Sequence, residues 1–282
     1  MAEIVPVEMP AWERAEFSEY RLESGFAYPT KEVVIEASEQ QRLHQCCGIT
    51  ADIFQNQVDP ALLSRLPIVM LSNTIVATMP GWGQVHIVHH IEQHRPIRLG
   101  ERLIMAGTVA EPLEHPRGFV AMSNWIYRDE AGDIAFEVRP EVLLLDAARA
   151  TAAKPSSKSG GAPIDALAYE DVGEKVCTPA TTVRYCEGTY NRVHDDIKVA
   201  KKLGFRAPII AGTQTMNFLM EPIFSHSKAP RISLRIRFMR PVFWDDTLVI
   251  QAARSSGVFK CVRAMNAQKK CVADCAIEFL KQ

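Results

Sequence analysis

A histidine in the second half of the sequence has neighbours that suit acid–base chemistry. His194 lies in a predicted loop, three residues after Asn191 and just before a short predicted helix. Pro208 then opens an apolar helix that carries Gly212 near its start. Imidazole exchanges protons near neutral pH, and free N–H groups at a helix start bind developing negative charge. The spacing therefore predicts an acid–base group and an oxyanion site in the same region.

Two similar halves position these residues. The pattern of each half predicts an amphipathic helix, a loop, a long apolar helix and several strands. In each half one predicted strand ends in Arg-Pro, at 95–96 and at 240–241. In the strand 232–238, apolar residues alternate with Ser233, Arg235 and Arg237, which is typical of a sheet with one buried face. A linker rich in small residues, 148–171, separates the halves 1–147 and 172–282.

Burial of one apolar helix and one apolar sheet face in each half predicts an α+β fold. The expected arrangement is two antiparallel sheets, each wrapped around a central long helix, and the two could join into one continuous sheet. The central helices are predicted at 67–79 and 208–220, with shorter helices at 36–46, 59–66, 179–186 and 198–203. The strands are predicted at 86–96, 103–111, 118–128, 134–145, 232–238, 249–254, 259–266 and 271–280.

Composition excludes several classes of protein. Hydrophobic residues make up 47% and charged residues 23% of the 282 residues, as in globular proteins, and the net charge of -1 disfavours nucleic-acid and membrane-surface binding. The seven cysteines include no CxxC pair, so a disulfide framework or zinc knuckle is not expected. The first residues show no signal peptide, and the apolar segment 66–79 is too short and polar to span a bilayer. A cytoplasmic location is expected.

The segment around His194 resembles the signature of the MaoC-like, or R-specific, enoyl-CoA hydratases of the hot-dog fold. The matching positions are Gly188, Asn191, His194, Ala200, Gly204, Phe205, Pro208, Ile209 and Gly212. Together with the repeat, this resemblance implies a double hot dog that adds water reversibly to a 2-enoyl-CoA. It implies that His194 exchanges protons with water and the α-carbon, that Asn191 orients the loop or the water, and that the Gly212 N–H holds the thioester oxygen.

The sequence departs from the family pattern at two positions. Thr189 stands where the family has its catalytic Asp, and Arg192 stands where the family has Pro. Loss of an acid–base partner costs about 10²–10⁴ in rate. Thr189 is either a neutral replacement or a hydroxyl that positions water, and Glu187 could take over if the loop turns inward. The alternatives are a non-catalytic acyl-thioester-binding or subunit protein and a hot-dog thioesterase.

Five basic residues are candidates for binding the phosphates of coenzyme A, with a solvated surface as the alternative. They are Lys198, Lys202, Arg206, Arg235 and Arg237. Coenzyme A would belong to the acyl-CoA substrate, and no metal or redox cofactor is expected. A homodimer of double hot dogs is a further expectation.

Four histidines in one predicted strand of the first half invite a metal site. Strand periodicity puts His86, His90 and His94 on one face and His89 on the other, with no accompanying pair of carboxylates, so interface histidines are favoured over metal ligands.

The first half is predicted to have lost the reactive residues. It keeps Gly48 and Asp59, but Val58 stands at the expected histidine position and Leu71 at the position of Gly212. This half is therefore predicted to make room for the acyl chain.

Overall fold

The computed structural model of the protein describes residues 21–49, 52–79, 82–146, 149, 167–189, 191–227 and 231–281. The strands are β1 (Ala27–Val34), β2 (Gly83–Gln93), β3 (Arg102–Val109), β4 (Leu113–His115), β5 (Gly118–Arg128), β6 (Ile134–Leu145), β7 (Tyr169–Val176), β8 (Arg231–Phe238), β9 (Thr247–Ser255), β10 (Val258–Asn266) and β11 (Cys271–Lys281). The helices are α1 (Ala37–Cys46), α2 (Pro60–Thr78), α3 (Pro179–Tyr185), α4 (Ile197–Lys202) and α5 (Gly212–His226), and a short 3₁₀ helix spans Arg192–His194.

All described strands belong to one antiparallel sheet, so the sheets expected for the two halves are joined into one. The order is β1-β3-β5-β6-β2-β8-β11-β10-β9-β7, with β4 added beside β5. The halves join where β2 pairs with β8, from Val88 opposite Arg237 to Gln93 opposite Ile232. Without this pairing, each of the two strands would present a row of unpaired N–H and C=O groups at an edge. The join satisfies both edges at once.

Alternating burial explains why strand β8 of the second half could be predicted. In β8, Ile232, Leu234 and Ile236 are buried, whereas Ser233 and Arg235 are half-buried. Side chains two residues apart share a face, so this pattern gives the sheet one apolar side. Helix α5 contacts β9, β10 and β11, helix α2 contacts β2 and β6, and the two helices contact each other. The start of α5 lies beside β2, because a Cβ atom on Gly212 would come within 2.9 Å of His86.

Helix α2 is longer than predicted because Pro67 does not interrupt it. Proline has no N–H group and leaves the carbonyl four residues earlier without its helical donor. Here the carbonyl of Leu63 accepts a hydrogen bond of 2.7 Å from the hydroxyl of Tyr127, a buried residue of β5. A contact with the sheet therefore replaces the missing helical bond, and the segments predicted as separate helices form one.

The boundary between the halves differs in part from the prediction. Most of the predicted linker 148–171 lies outside the described residues, but Tyr169, Glu170 and Asp171 are the first residues of β7. This strand pairs with β9 at the edge of the sheet and has only one buried residue. Its polar composition explains why the sequence indicated a linker there.

None of the helices in the described part of the chain has the length and hydrophobicity that crossing a bilayer requires.

Candidate active site

His194 is held so that one ring nitrogen remains available as a base. It is the last residue of the 3₁₀ helix, whose N-cap Asn191 accepts a hydrogen bond from the Val193 N–H. Its Nδ1 lies 2.8 Å from the carbonyl oxygen of Ile209. A carbonyl can only accept, so Nδ1 carries the proton and Nε2 carries a lone pair. The Asn191 side-chain nitrogen lies 3.4 Å from that Nε2.

Electrostatics keep His194 neutral at neutral pH. Burial lowers the pKa of His194 below its ordinary value, and this outweighs the opposing effect of its hydrogen bond to Ile209. A buried imidazole loses the hydration that would stabilise its cationic form, which favours the neutral base. The side chain can therefore accept a proton at Nε2.

The start of α5 supplies hydrogen-bond donors. Gly212 is its first residue, and the N-cap residue Ala211 has no side chain that could cap the helix. Among the described residues, no acceptor is found for the N–H groups of Gly212 and Thr213. Such N–H groups, together with the helix dipole, attract negative charge.

His194 and Gly212 line a common cavity of about 460 Å³ between the halves. The second half contributes Tyr185, Thr189, Asn191, His194, Gly212 and Thr213, among others. The first half contributes Arg65, Ile68, Val69, His86, Val142 and Leu143, among others. A volume of this size is typical of small-molecule sites.

Thr189 and Glu187 occupy different environments. Thr189 lines the cavity, but its hydroxyl donates a hydrogen bond of 2.9 Å to the carbonyl of Cys186. Glu187 is not among the lining residues, and its carboxylate lies 3.6 Å from the guanidinium of Arg42. The loop therefore does not turn Glu187 inward, so the condition under which it could take over the role of the family's Asp is not met.

Cys186 lines the cavity too, but burial raises the pKa of its thiol to about 12. A buried, protonated thiol is a poor nucleophile, so Cys186 serves as a packed hydrophobic residue of the cavity wall.

The structure divides the predicted basic residues into two groups. Arg235 and Arg237 line the cavity, whereas Lys198, Lys202 and Arg206 do not. Arg206 forms ion pairs with Asp245 and Asp246 instead, and its guanidinium lies 4.0 Å from the centre of the Phe243 ring. Lys198 and Lys202 are exposed on α4. These three residues therefore face the surface as in the alternative interpretation.

The two arginines on β8 that line the cavity differ in whether they form an ion pair within the protein. Arg237 forms an ion pair with Asp274, whereas Arg235 makes no hydrogen bond or ion pair with the described residues. The cavity has further basic lining residues that the sequence did not single out, which are His115, Arg117 and Arg240.

Two lining residues of the first half were also missed. Arg65 is 2% exposed, and its Nη2 lies 3.4 Å from the carbonyl of Tyr185 and 3.3 Å from that of Glu187. An arginine within an otherwise apolar helix was the signal that could have identified it. His86 was placed on a different strand face from His89, which the structure contradicts.

A β-bulge explains the error about the histidines. In the pairing of β2 with β6, the register shifts between His86 and Val88. An extra residue reverses the alternation of side chains, so His86 and His89 approach each other, with His86 Nε2 2.9 Å from His89 Nδ1. The sequence carries no signal for this bulge.

The structure also brings carboxylates to His94, which the sequence had not indicated. The possible ligand atoms of Glu92, His94 and Glu137 lie within 4.8 Å of one another, and all three residues are half-buried. None of them lines the cavity. His94 Nε2 and Glu137 form an ion pair or hydrogen bond of 2.8 Å, which accounts for their proximity.

The first half differs from the second at the start of its long helix. Isolated bridges join Gln57 to Arg98 and Ile209 to Phe243, so these positions correspond in the two halves. Counting forward, Pro60 corresponds to Gly212, and Leu71 does not. The loop before Val58 contains neither a 3₁₀ helix nor a second short helix in its described residues. No counterpart of the element that carries His194 is therefore present in the described residues of the first half.

Comparison with known proteins identifies the fold. Neither a protein-family model nor a curated protein matches the chain. Among solved structures, HtdX from Mycobacterium tuberculosis aligns over 90% of this chain and 100% of its own, with a TM-score of 0.72 and 19% identity. A MaoC-like dehydratase from Phytophthora capsici aligns over 92% and 97%, with a TM-score of 0.65 and 15% identity.

A protein of another activity shares the fold as well. An acyl-ACP thioesterase from Bacteroides thetaiotaomicron aligns over 88% of this chain and 96% of its own, with a TM-score of 0.56 and 11% identity. Similarity at these identities establishes architecture and not activity. The resemblance seen in the sequence is therefore confirmed at the level of structure: the chain has the hot-dog fold of the MaoC-like dehydratases.

Proposed function

We propose that the protein adds water reversibly to the double bond of a 2-enoyl-CoA thioester. The observation that carries the proposal is the shared cavity, in which a neutral His194 and the uncapped start of α5 both take part. Proton transfer and stabilisation of a developing oxyanion are the two requirements of this reaction. The similarity to MaoC-like dehydratases supports the choice of reaction.

His194 acts at both proton-transfer steps of the proposed reaction. In the hydration direction, Nε2 takes a proton from water as the oxygen forms its bond to the β-carbon. The electron pair of the double bond moves to the thioester as an enolate, whose oxygen accepts from the Gly212 N–H. The imidazolium then returns its proton to the α-carbon. Dehydration reverses these steps, and Asn191 holds the loop through its N-cap hydrogen bond.

The two ends of the substrate have separate contacts in this proposal. The first half, 1–147, supplies apolar residues to the acyl pocket, with Ile68, Val69 and Leu143 at the cavity wall. Arg235, which has no partner among the described residues, contacts a phosphate of coenzyme A. Coenzyme A belongs to the substrate, and the proposal includes no metal or redox group.

One observation favours a second candidate, a non-catalytic acyl-thioester-binding protein. The hydroxyl of Thr189 is bonded to the Cys186 carbonyl, and Glu187 is paired with Arg42, so neither supplies the second acid–base group of the family. A chain that binds the thioester without turning it over would have the same cavity.

The experiment follows the loss of enoyl absorbance for 2-enoyl-CoA substrates of short, long and branched chain. His194→Ala is expected to lower the rate by about 10²–10⁴-fold. The melting temperature should change little, because the His194 side chain lines the cavity and is not part of the apolar core. Thr189→Asp, which restores the family's residue, should increase the rate.

His226→Ala is the matched control. Like His194, His226 is hydrogen-bonded through Nδ1 to a backbone carbonyl, here that of Pro222, but it does not line the cavity. Its rate should equal that of the wild type. If no enoyl-CoA is consumed by the wild type, the hydratase proposal is wrong and binding without turnover is favoured. Release of free thiol would indicate a thioesterase.

A further inference from the structure

His86 brings an unpartnered nitrogen from the first half to the start of α5. Its ring stacks on Phe238, with centroids 4.5 Å apart, and its Nε2 contacts His89. Its Nδ1 is buried and has no hydrogen-bond partner among the described residues. Leaving a buried polar atom without a partner costs free energy, and His86 lines the cavity, so a polar group of a bound ligand is a suitable partner for Nδ1.

Gly212 fixes where this nitrogen lies. A Cβ atom built on Gly212 would come within 2.9 Å of His86 Nδ1 and of His86 Cβ. His86 cannot easily retreat, because Phe238 packs against its ring and His89 holds its other nitrogen. Only glycine fits at this position, and the imidazole lies directly beside the first residue of α5.

Both histidines of the pair are neutral. Burial lowers the pKa of His86 to about 3, against a smaller opposing effect of the Val88 backbone, and it lowers the pKa of His89 well below its ordinary value. Two neutral rings share one hydrogen bond, so one ring donates and the other accepts. If His89 Nδ1 donates to His86 Nε2, the proton of His86 must be on Nδ1.

We propose that the Nδ1–H of His86 is the second donor to the carbonyl oxygen of the acyl thioester, beside the Gly212 N–H. This inference rests on the proposed function and assigns the first half a part in the chemistry. A neutral imidazole beside a developing oxyanion stabilises it by hydrogen bonding without giving up its proton. His89 is a positioning residue, because its own bond to Nε2 selects the tautomer of His86.

The test uses His86→Phe and His86→Asn in the full chain. Phenylalanine keeps a ring to stack on Phe238 but has no donor, whereas the asparagine amide offers an N–H near the position of Nδ1. For 2-enoyl-CoA hydration, His86→Phe should lower kcat by about 10²–10³-fold, as expected for loss of an oxyanion donor, with KM changed by less than about threefold. His86→Asn should recover at least about tenfold of that loss.

A binding measurement separates this inference from the proposed function. S-Butyl-CoA has a CH₂ group in place of the carbonyl group of butanoyl-CoA, so the ratio of their dissociation constants reports contacts to the carbonyl oxygen. The wild type should prefer the thioester by about tenfold, and His86→Phe should lose this preference while still binding the thioether.

Each outcome has a defined meaning. A wild type that hydrates no enoyl-CoA but shows the carbonyl preference through His86 would contradict the proposed function and support the inference. An active wild type whose His86→Phe variant keeps both its kcat and its preference would overturn the inference. If His86→Phe loses its melting transition, His86→Asn and its binding ratio decide.

Discussion

Helix α2 begins behind a buried aspartate, whereas helix α5 begins at the corresponding position behind an alanine. Asp59 is 0% exposed, and its carboxylate accepts from the Ala61 N–H at 2.8 Å and contacts His44 Nε2 at 2.9 Å. Pro60 has no N–H to satisfy. At α5, the side chain of Ala211 offers no acceptor, and Gly212 keeps its N–H group. The donors of α2 are satisfied within the protein, and those of α5 face a cavity.

The segments that precede the two helices differ in the same way, because one supplies a hydrogen-bond partner to the helix start and the other does not. In the first half, Gln40 Oε1 accepts from the Asp59 N–H, so α1 is tied to the start of α2. In the second half, His194 is tied to Ile209, three residues before Gly212. In the first half, helix α1 stabilises the cap of α2, whereas in the second half the loop presents a base beside the uncapped start of α5. The comparison teaches that a single backbone position can serve stability or chemistry, depending on whether its donors have internal partners.

The largest effect on activity is expected when the N-cap residue of α5 is replaced by the aspartate found at the N-cap of α2. In Ala211→Asp, the new carboxylate should accept from the Thr213 N–H as Asp59 accepts from Ala61, and it would repel an enolate. The rate of enoyl-CoA hydration should fall by about 10²–10³-fold, as for loss of an oxyanion donor.

Ala211→Asn is the matched variant, because it caps without a charge and should lose less activity. Circular dichroism and the melting temperature should show both proteins folded. An Ala211→Asp variant with the activity of the wild type would mean that the start of α5 does not bind the substrate oxygen.

A smaller, purely structural effect is expected at the other helix. Asp59→Ala removes the cap of α2 and leaves His44 Nε2 without its partner, so the free energy of unfolding should fall by about 2–4 kcal/mol. Urea denaturation measures this change, and kcat per folded molecule should be retained.

Asp52→Ala is the control, since Asp52 is exposed and its one hydrogen-bond partner among the described residues is the Gln55 N–H. It should cost less than about 1 kcal/mol. Equal destabilisation by the two substitutions would contradict the role assigned to the buried cap.

The smallest effect concerns the proline within α2. Tyr127→Phe removes the donor to the Leu63 carbonyl and should cost about 1–2 kcal/mol. Pro67→Ala restores a helical N–H for the same carbonyl, so Tyr127→Phe should cost less in that background. Denaturation of the two single variants and the double variant forms a cycle. Strict additivity would show that the tyrosine does not substitute for the helical bond.

Regular alternation accounts for what could be predicted from the sequence. Strands β5 and β6 have the predicted bounds, because apolar residues recur at every second position between clear turns. Strand β1 was missed: its register shifts between Tyr28 and Lys31, which interrupts the alternation. The continuity of α2 depends on Tyr127, a partner distant in sequence, so local signals at Pro67 indicated a break.

The candidate site could be predicted only where the sequence itself carried the signal. His194, Asn191 and Gly212 lie within one contiguous motif, and the structure brings them to one cavity. His86 and Arg65 come from the other half, and their approach depends on the joined sheet and on a bulge. Glu187 was misplaced because its pairing with Arg42 is a long-range contact between the halves.

The junction of β2 with β8 also changes how the protein responds to dilution and to substitution. Two separate hot dogs paired through these strands would dissociate as their concentration fell, whereas joined in one chain they meet at a fixed effective concentration. In such a pair of identical chains, every substitution would also occur twice. Here the pair of Val88 and Arg237 occurs once where β2 pairs with β8, and a substitution of either residue changes a single contact. The single chain therefore allows the start of one helix to be capped for stability while the N–H groups at the start of the other remain available to a ligand.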